Sequence, residues 1–100
     1  MLKRKLRIQL IEGNPYWIEH VKKELKGKHR LVVNKPDLIL ISYESLCARD
    51  NVPTPFIVFT HELEVSVTLS AFRKDALDCR LKNFEPGFVL SAIESVRNKL

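Results

Sequence analysis

Two runs of four consecutive apolar residues limit the folds that this chain can adopt. They are residues 38–41 (LILI) and residues 56–59 (FIVF), and neither alternates between apolar and polar positions. Strands of a parallel sheet that is covered on both faces have such continuously apolar sequences. The two runs therefore predict the centre of a parallel sheet in an α/β domain.

The segment before the first run predicts a strand followed by a helix. Residues 6–11 alternate and then become continuously apolar, which indicates a strand that reaches the interior. Asn14 is a suitable N-cap, Pro15 suits the first helical position, and Gly27 suits the end of the helix. The apolar face of this helix comprises Trp17, Ile18, Val21 and Leu25.

The C-terminal part of the chain predicts a weaker edge strand and a last helix. The strand covers residues 76–81, and the helix begins near Glu85 and Pro86. Its apolar face comprises Val89, Ile93, Val96 and Leu100.

Four segments resemble a known family in their order and context. Residues 10–15 (LIEGNP), 37–42 (DLILIS), 56–60 (FIVFT) and 80–84 (RLKNF) are similar to the active-site strand ends of response-regulator receiver domains. The resemblance covers nearly the whole chain and implies a single receiver-like domain at residues 1–100. It implies an α/β fold, a reduced flavodoxin-like three-layer sandwich whose mainly parallel sheet has the order 2-1-3-4-5.

Most of that family's chemistry is absent from the matching positions. In receivers, the first strand ends in two carboxylates that hold Mg²⁺, the third in the Asp that accepts phosphate, the fourth in Thr or Ser, and the fifth in Lys followed by Pro. The matching residues here are Glu12, Gly13, Ser42, Thr60 and Lys82, with Asn83 in place of the proline. Because the phosphoacceptor and one Mg²⁺ carboxylate are missing, we expect a degenerate receiver that is not an enzyme and holds no metal or cofactor.

Two further replacements agree with a lost switch. Cys79 occupies the position of the aromatic ring that receivers pair with the residue at Thr60. The Lys82–Asn83 peptide is expected to be trans, because a cis bond before a residue other than proline costs about 2.5–4 kcal/mol. Lys82 is then expected to have a structural or surface role.

Short connections remove two helices that the family would have. Asn34, Lys35 and Pro36 alone separate residues 31–33 from the next predicted strand, and three residues span at most about 10 Å. This excludes the second helix, and it predicts that residues 31–33 are either not the usual parallel edge strand or turn back as an antiparallel ribbon. Residues 43–50 have room for about two helical turns, so the third helix is short or absent.

Residues 64–71 fit two structures. Alternation of apolar and polar residues is typical of a half-buried strand, whereas Val65, Leu69, Phe72 and Ala76 form a helical stripe. We favour the helix, because Thr60 and Lys82 keep the separation that they have in the family. Asp75 is then expected at the helix end in the left-handed conformation.

Charge and thiol content restrict the partners and the compartment. The formal charge is +5, but no nucleic-acid-binding motif accompanies it, so a solvated basic surface is favoured over DNA or RNA binding. No segment is apolar enough to cross a membrane, and no secretory signal is recognisable. We expect a cytoplasmic protein with Cys47 and Cys79 reduced. His20, His29 and His61 are too far apart in sequence to indicate a metal site.

These features predict a phosphorylation-independent pseudo-receiver that acts in signal transduction or transcriptional regulation through protein–protein contact, as a homodimer and without a small-molecule substrate. Its interaction face is expected within residues 61–100. The candidate residues of that face are Arg73, Lys74, Arg80, Val96 and Arg97. The alternatives are a small basic DNA- or RNA-associated regulator and a functional phosphoreceiver that uses Ser42 or Glu12.

Overall fold

The two apolar runs form adjacent central strands of a parallel sheet. In the computed structural model, which describes residues 4–100, β3 (Leu38–Ser42) pairs in parallel with β4 (Phe56–Thr60), and every residue of both strands is buried. The sheet has five strands in the order β2-β1-β3-β4-β5, and all neighbouring pairs are parallel. The remaining strands are β1 (Arg7–Ile11), β2 (Arg30–Leu31) and β5 (Asp78–Leu81).

Helices cover both faces of the sheet and make two separate cores. They are α1 (Pro15–Leu25), α2 (Tyr43–Cys47), α3 (Val65–Arg73) and α4 (Phe88–Val96), followed by a 3-10 turn (Arg97–Lys99). Helices α1 and α4 pack on one face around Trp17 and Phe59. Helices α2 and α3 pack on the other face, where Leu46 and Ala71 are buried. This arrangement confirms the predicted reduced flavodoxin-like sandwich. The second helix of the family is absent, and the five-residue α2 stands in place of its third helix.

The first helix begins as its sequence predicts. The Asn14 side-chain oxygen accepts hydrogen bonds from the N–H groups of Tyr16 (2.9 Å) and Trp17 (3.2 Å), and Pro15 is the first helical residue. The last helix, in contrast, begins at Phe88 and not near Pro86, because Gly87 adopts the left-handed conformation with φ of 85°. Leu100 lies beyond this helix and is exposed.

Residues 65–71 belong to a helix, as favoured, with Glu64 at its N-cap, but a different face of the helix is buried. Ala71 is fully buried, whereas Val65, Leu69 and Phe72 are 76%, 50% and 45% exposed. The predicted apolar stripe is therefore wrong for these three residues. Asp75 has the expected positive φ, at 72°.

The prediction for residues 31–33 is wrong, because β2 is a parallel edge strand. Arg30 and Leu31 pair with Arg7 and Ile8 of β1. The connection can be short because β2 stops where β3 starts: Ile8 pairs with Leu31 on one side and with Leu38 on the other. The chain therefore crosses β1 without first returning along a strand, and Asp37 N–H donates to Arg7 C=O at 2.7 Å where it arrives.

No helix among residues 4–100 combines the length and the apolar character required to cross a bilayer.

Candidate functional site

The carboxyl ends of four parallel strands meet at one edge of the sheet. They bring Glu12, Gly13, Ser42 and Lys82 to an open cavity of about 340 Å³, which Asn14, Glu44, Ser45 and His61 also line. Thr60 is the last residue of β4 and lies beside them, but it is 2% exposed and does not line the cavity. Its hydroxyl donates to Glu62 C=O at 2.9 Å and accepts from Glu62 N–H, which fixes the turn after the strand.

An ion pair holds Glu12, the residue that matches one of the Mg²⁺ carboxylates of the receiver pattern. Lys82 Nζ lies 3.0 Å from Glu12 Oε1, and the two side chains are only 8% and 4% exposed. Glu12 Oε2 accepts hydrogen bonds from the N–H groups of Gly13 (3.1 Å) and Asn14 (2.9 Å). Oε1 has no well-aligned hydrogen bond, so its interaction with Lys82 is mainly electrostatic. The carboxylate is therefore neutralised within the chain, by a pairing that the sequence analysis did not identify.

Ser42 acts as a helix cap. Its hydroxyl donates to Ser45 Oγ at 2.7 Å, and it accepts from Ser45 N–H at 3.2 Å in the first turn of α2. A serine suits this N-cap position for the same reason as an aspartate, because either oxygen accepts a free N–H of the first turn. The position thus caps α2 without a carboxylate.

The residues at this edge do not fit Mg²⁺, which the receiver fold implies. Mg²⁺ prefers near-octahedral oxygen coordination with one or two carboxylates. Gly13 supplies no side-chain oxygen, Ser42 supplies a hydroxyl that is already bonded to Ser45, and Glu12 faces an ammonium group. Among residues 4–100, no group of three or more His, Cys, Asp or Glu side chains has the arrangement of a metal site.

Sequence reasoning missed a second side-chain contact at this edge. His61 Nδ1 lies 3.4 Å from Glu44 Oε1, and both side chains are largely exposed. Glu44 lies on α2 and His61 follows β4, so only the alignment of β3 and β4 brings them together.

The loop after β5 differs from that of receivers in the way that its sequence predicts. No cis peptide bond occurs in residues 4–100, so Lys82–Asn83 is trans. The Asn83 side chain accepts from Glu85 N–H at 2.8 Å and shapes the turn. Cys79 is buried at the aromatic position, and burial and then the charge of Asp78 raise the pKa of its thiol.

The five residues of the predicted interaction face do not form one surface. Val96 is 2% exposed in the α1–α4 core, so its assignment to an exposed face is corrected. Lys74 Nζ donates to the C=O groups of Leu46 and Arg49 and so secures the end of α2. Arg97 pairs with Glu94 and donates to Arg4 C=O on the side of α1.

Arg73 and Arg80 remain beside α3 and β5. Arg73 is exposed at the end of α3. Arg80 is held by Asp78 at 2.7 Å and by Ser95 at 3.2 Å, above the ring of Phe88. Six exposed apolar side chains lie on α3, at the end of β5 or in the adjoining loops, beside exposed polar residues of the same segments. They are Leu63, Val65, Leu69, Phe72, Leu81 and Phe84.

Two histidines that carried no sequence signal have specific partners. His20 Nε2 lies 2.9 Å from Glu24 Oε2, and Glu24 Oε1 accepts from Leu90 N–H in the first turn of α4 at 3.2 Å. His29 Nδ1 accepts from Leu6 N–H at 3.1 Å. Burial, and then the charge of Arg97, lower the pKa of His29.

Solved structures of receiver domains resemble this fold over nearly its whole length. A response regulator from Thermotoga maritima is 17% identical, covers 95% of this chain and 99% of its own, and has a TM-score of 0.78. The signal receiver domain of NarL from Mycobacterium tuberculosis is 15% identical, with coverages of 98% and 100% and a TM-score of 0.75. The BeF3-activated receiver domain of RstA from Klebsiella pneumoniae is 17% identical, with coverages of 89% and 96% and a TM-score of 0.67.

This likeness shows that the chain has the receiver-domain fold. No family model matches the chain, and no curated protein matches it.

Proposed function

We propose that this chain is a phosphorylation-independent pseudo-receiver, without enzymatic activity, that acts in a regulatory system through protein–protein contact. The observation that carries the proposal is the buried ion pair between Lys82 and Glu12, 3.0 Å apart. Aspartyl phosphorylation requires a carboxylate nucleophile and a divalent cation that neutralises the transferring phosphoryl group. Neither requirement is supplied by the hydroxyl of Ser42 or by the Glu12 carboxylate, which is ion-paired with Lys82.

The ion pair also removes the cationic group that would respond to a phosphoryl group. Lys82 Nζ is already neutralised by Glu12. A second anion at Nζ would lie beside the buried Glu12 carboxylate, and the repulsion between the two negative charges is costly in a poorly solvated site. The edge of the sheet is therefore held in one state.

The contact surface proposed for self-association is the apolar area beside α3 and β5, defined by Leu63, Leu69, Phe72, Leu81 and Phe84. Each of these side chains is between 45% and 55% exposed. Exposed apolar groups gathered on one side of a small domain are typical of interaction sites. Strand pairing through β5 is disfavoured, because the Asp78 carboxylate accepts from Cys79 N–H and occupies that edge. Side-chain packing is thus the proposed mode of contact.

A phosphorylation analogue tests the first half of the proposal. Amide spectra of the chain are recorded with Mg²⁺ and beryllofluoride, and separately with acetyl phosphate. We expect no saturable change at Glu12, Ser42, Thr60 or Lys82 and no covalent adduct by mass spectrometry. A stoichiometric adduct, or a saturable shift at these residues, would establish a working phosphoreceiver and refute the proposal.

Light scattering tests the second half. We expect a dimer that Leu69→Glu dissociates, because the charge would be desolvated in the contact. Tyr16→Glu is the matched control, since Tyr16 is 78% exposed on α1, outside the proposed surface. A monomer at all concentrations, or equal effects of the two variants, would contradict self-association through α3 and β5.

A further inference from the structure

The two edges of the sheet differ in how their outward backbone groups are hydrogen-bonded. At the β5 edge, Asp78 covers the outward Cys79 N–H at 2.9 Å. At the other edge, β2 covers only the first part of β1, because pairing stops at Ile8 and Leu31. An uncovered strand edge offers unpaired N–H and C=O groups to another chain, and proteins usually block such edges.

The open position lies at Leu10. The C=O groups of Leu6 and Ile8 accept from Arg30 and Val32 N–H, so alternate residues of β1 direct their backbone groups towards β2. Leu10 is the next residue in this alternation, and within residues 4–100 no backbone hydrogen bond joins it to the β2 side. The missing half of β2 thus leaves a place for one extended segment beside β1.

An apolar groove adjoins this open edge. Its volume is about 460 Å³, and it is lined by Leu10, Ile18, Lys22, Leu31, Val32 and Val33. Leu31 is 40% exposed and Val33 is 81% exposed. A side chain from a segment paired with Leu10 would bury this apolar surface, so that backbone pairing and apolar contact would favour the same position.

The charge around the groove favours an acidic partner over a second copy. Residues 18–37 contain six basic residues: Lys22, Lys23, Lys26, Lys28, Arg30 and Lys35. They contain three acidic residues, of which Glu24 is 7% exposed and directed towards His20 and Leu90, Asp37 contacts Arg4 and Arg7, and Glu19 is exposed. Two copies that met at this edge would bring like charges together, whereas carboxylates on an extended partner would be attracted.

We propose that the edge formed by β2 and the C-terminal part of β1 binds an extended acidic peptide segment of a partner protein. The segment adds a short strand beside Leu10, places an apolar side chain in the groove and directs a carboxylate to Lys22. This surface lies at the opposite edge of the sheet from β5, so it does not depend on the proposed self-association or on the state of Lys82 and Glu12.

The probe is a short acetylated peptide in which valine and glutamate are two residues apart with threonine between them, so that both side chains face the groove. It is titrated into the isotope-labelled chain. We expect saturable amide shifts at Leu10, Leu31 and Val33. The same peptide with alternate backbone nitrogens methylated keeps its charge and side chains but cannot pair as a strand, so its binding is expected to be lost.

Variants separate this groove from general basic charge. Lys22→Glu is expected to weaken binding by about fivefold or more. Lys23→Glu changes the charge equally, but Lys23 does not line the groove, and it is expected to have less than half that effect. Val33→Asp, at an exposed position, is expected to reduce binding without unfolding the chain.

Other outcomes would overturn the proposal. Equal binding of the methylated peptide would exclude strand pairing, and equal effects of Lys22→Glu and Lys23→Glu would leave only nonspecific electrostatic attraction. A DNA duplex that shifts the same amides more strongly would assign the edge to nucleic acid. Concentration-dependent shifts without peptide would assign it to a second copy, and the absence of shifts at millimolar peptide would refute the site.

Discussion

Lys82 Nζ and Glu12 Oε1 are 3.0 Å apart, and they join the end of β5 to the end of β1 across the carboxyl edge of the sheet. The two strands are separated by β3 and β4 in the sheet, so the pair spans both of these central strands. Trp17 lies below it, with its ring centroid 5.9 Å from Nζ. The pair therefore contributes to the cohesion of this edge of the sheet.

Removing one member of this pair should destabilise the fold. Lys82→Met leaves the Glu12 carboxylate buried without its cation, and breaking such a pair costs about 3–5 kcal/mol of unfolding free energy. Combining Lys82→Met with Glu12→Gln should recover most of the loss, because no charge is then left unpaired. Urea denaturation measures both values. If the double variant were as unstable as the single one, the ion pair would not be the cause.

Restoring two carboxylates should restore cation binding at the edge. A Cβ atom at Gly13 would meet nothing within 4 Å, so Gly13→Asp is sterically acceptable, and Ser42→Asp can keep the cap on α2. We expect Mg²⁺ to cause saturable amide shifts at these positions in the double variant. The unaltered chain should show none. Similar Mg²⁺ shifts in both chains would contradict the assigned loss of the site.

The stability of the fold should decrease as the pH falls through the titration of His29. The pKa of His29 is lowered from 6.5 by burial and then by Arg97, with Glu94 opposing, so the unfolded chain binds this proton more readily. The contribution of neutral His29 to the free energy of unfolding is therefore complete above pH 6.5, and it is lost as the pH falls below that value. His29→Asn can still accept from Leu6 N–H but does not titrate. Urea midpoints measured against pH should become flatter in that variant, and an unchanged slope would contradict the prediction.

Glu24 should stabilise α4 from outside that helix. Gly87 provides no side-chain cap, and Glu24 Oε1 accepts the Leu90 N–H instead. Glu24→Ala should lower the unfolding free energy by about 0.5–2 kcal/mol, the range found for lost helix caps. Glu19→Ala is the control on the exposed face of α1, and it should change the value by less than about 0.5 kcal/mol. Thermal unfolding compares the two, and equal losses would exclude the capping role.

The local sequence was sufficient to predict those features of the fold that depend on one residue or one short segment. The runs at residues 38–41 and 56–59 had to be buried, and they form β3 and β4. Asn14 and Pro15 start α1 for reasons that depend only on neighbouring N–H groups. The length of the connection after residue 33 excluded a second helix, because covalent geometry limits its reach.

Contacts between distant residues were decided by the tertiary structure. β2 can be parallel because its last residue and the first residue of β3 both pair with Ile8 of β1, on opposite sides. No pattern within residues 31–33 encodes this register. The exposed face of α3 was misassigned because two apolar stripes compete on that helix, and packing on the sheet selects the one containing Ala71. Sequence placed Glu12 and Lys82 at the same edge, but only the assembled strands bring their charges to 3.0 Å, because the pairing of distant side chains depends on strand order and register together.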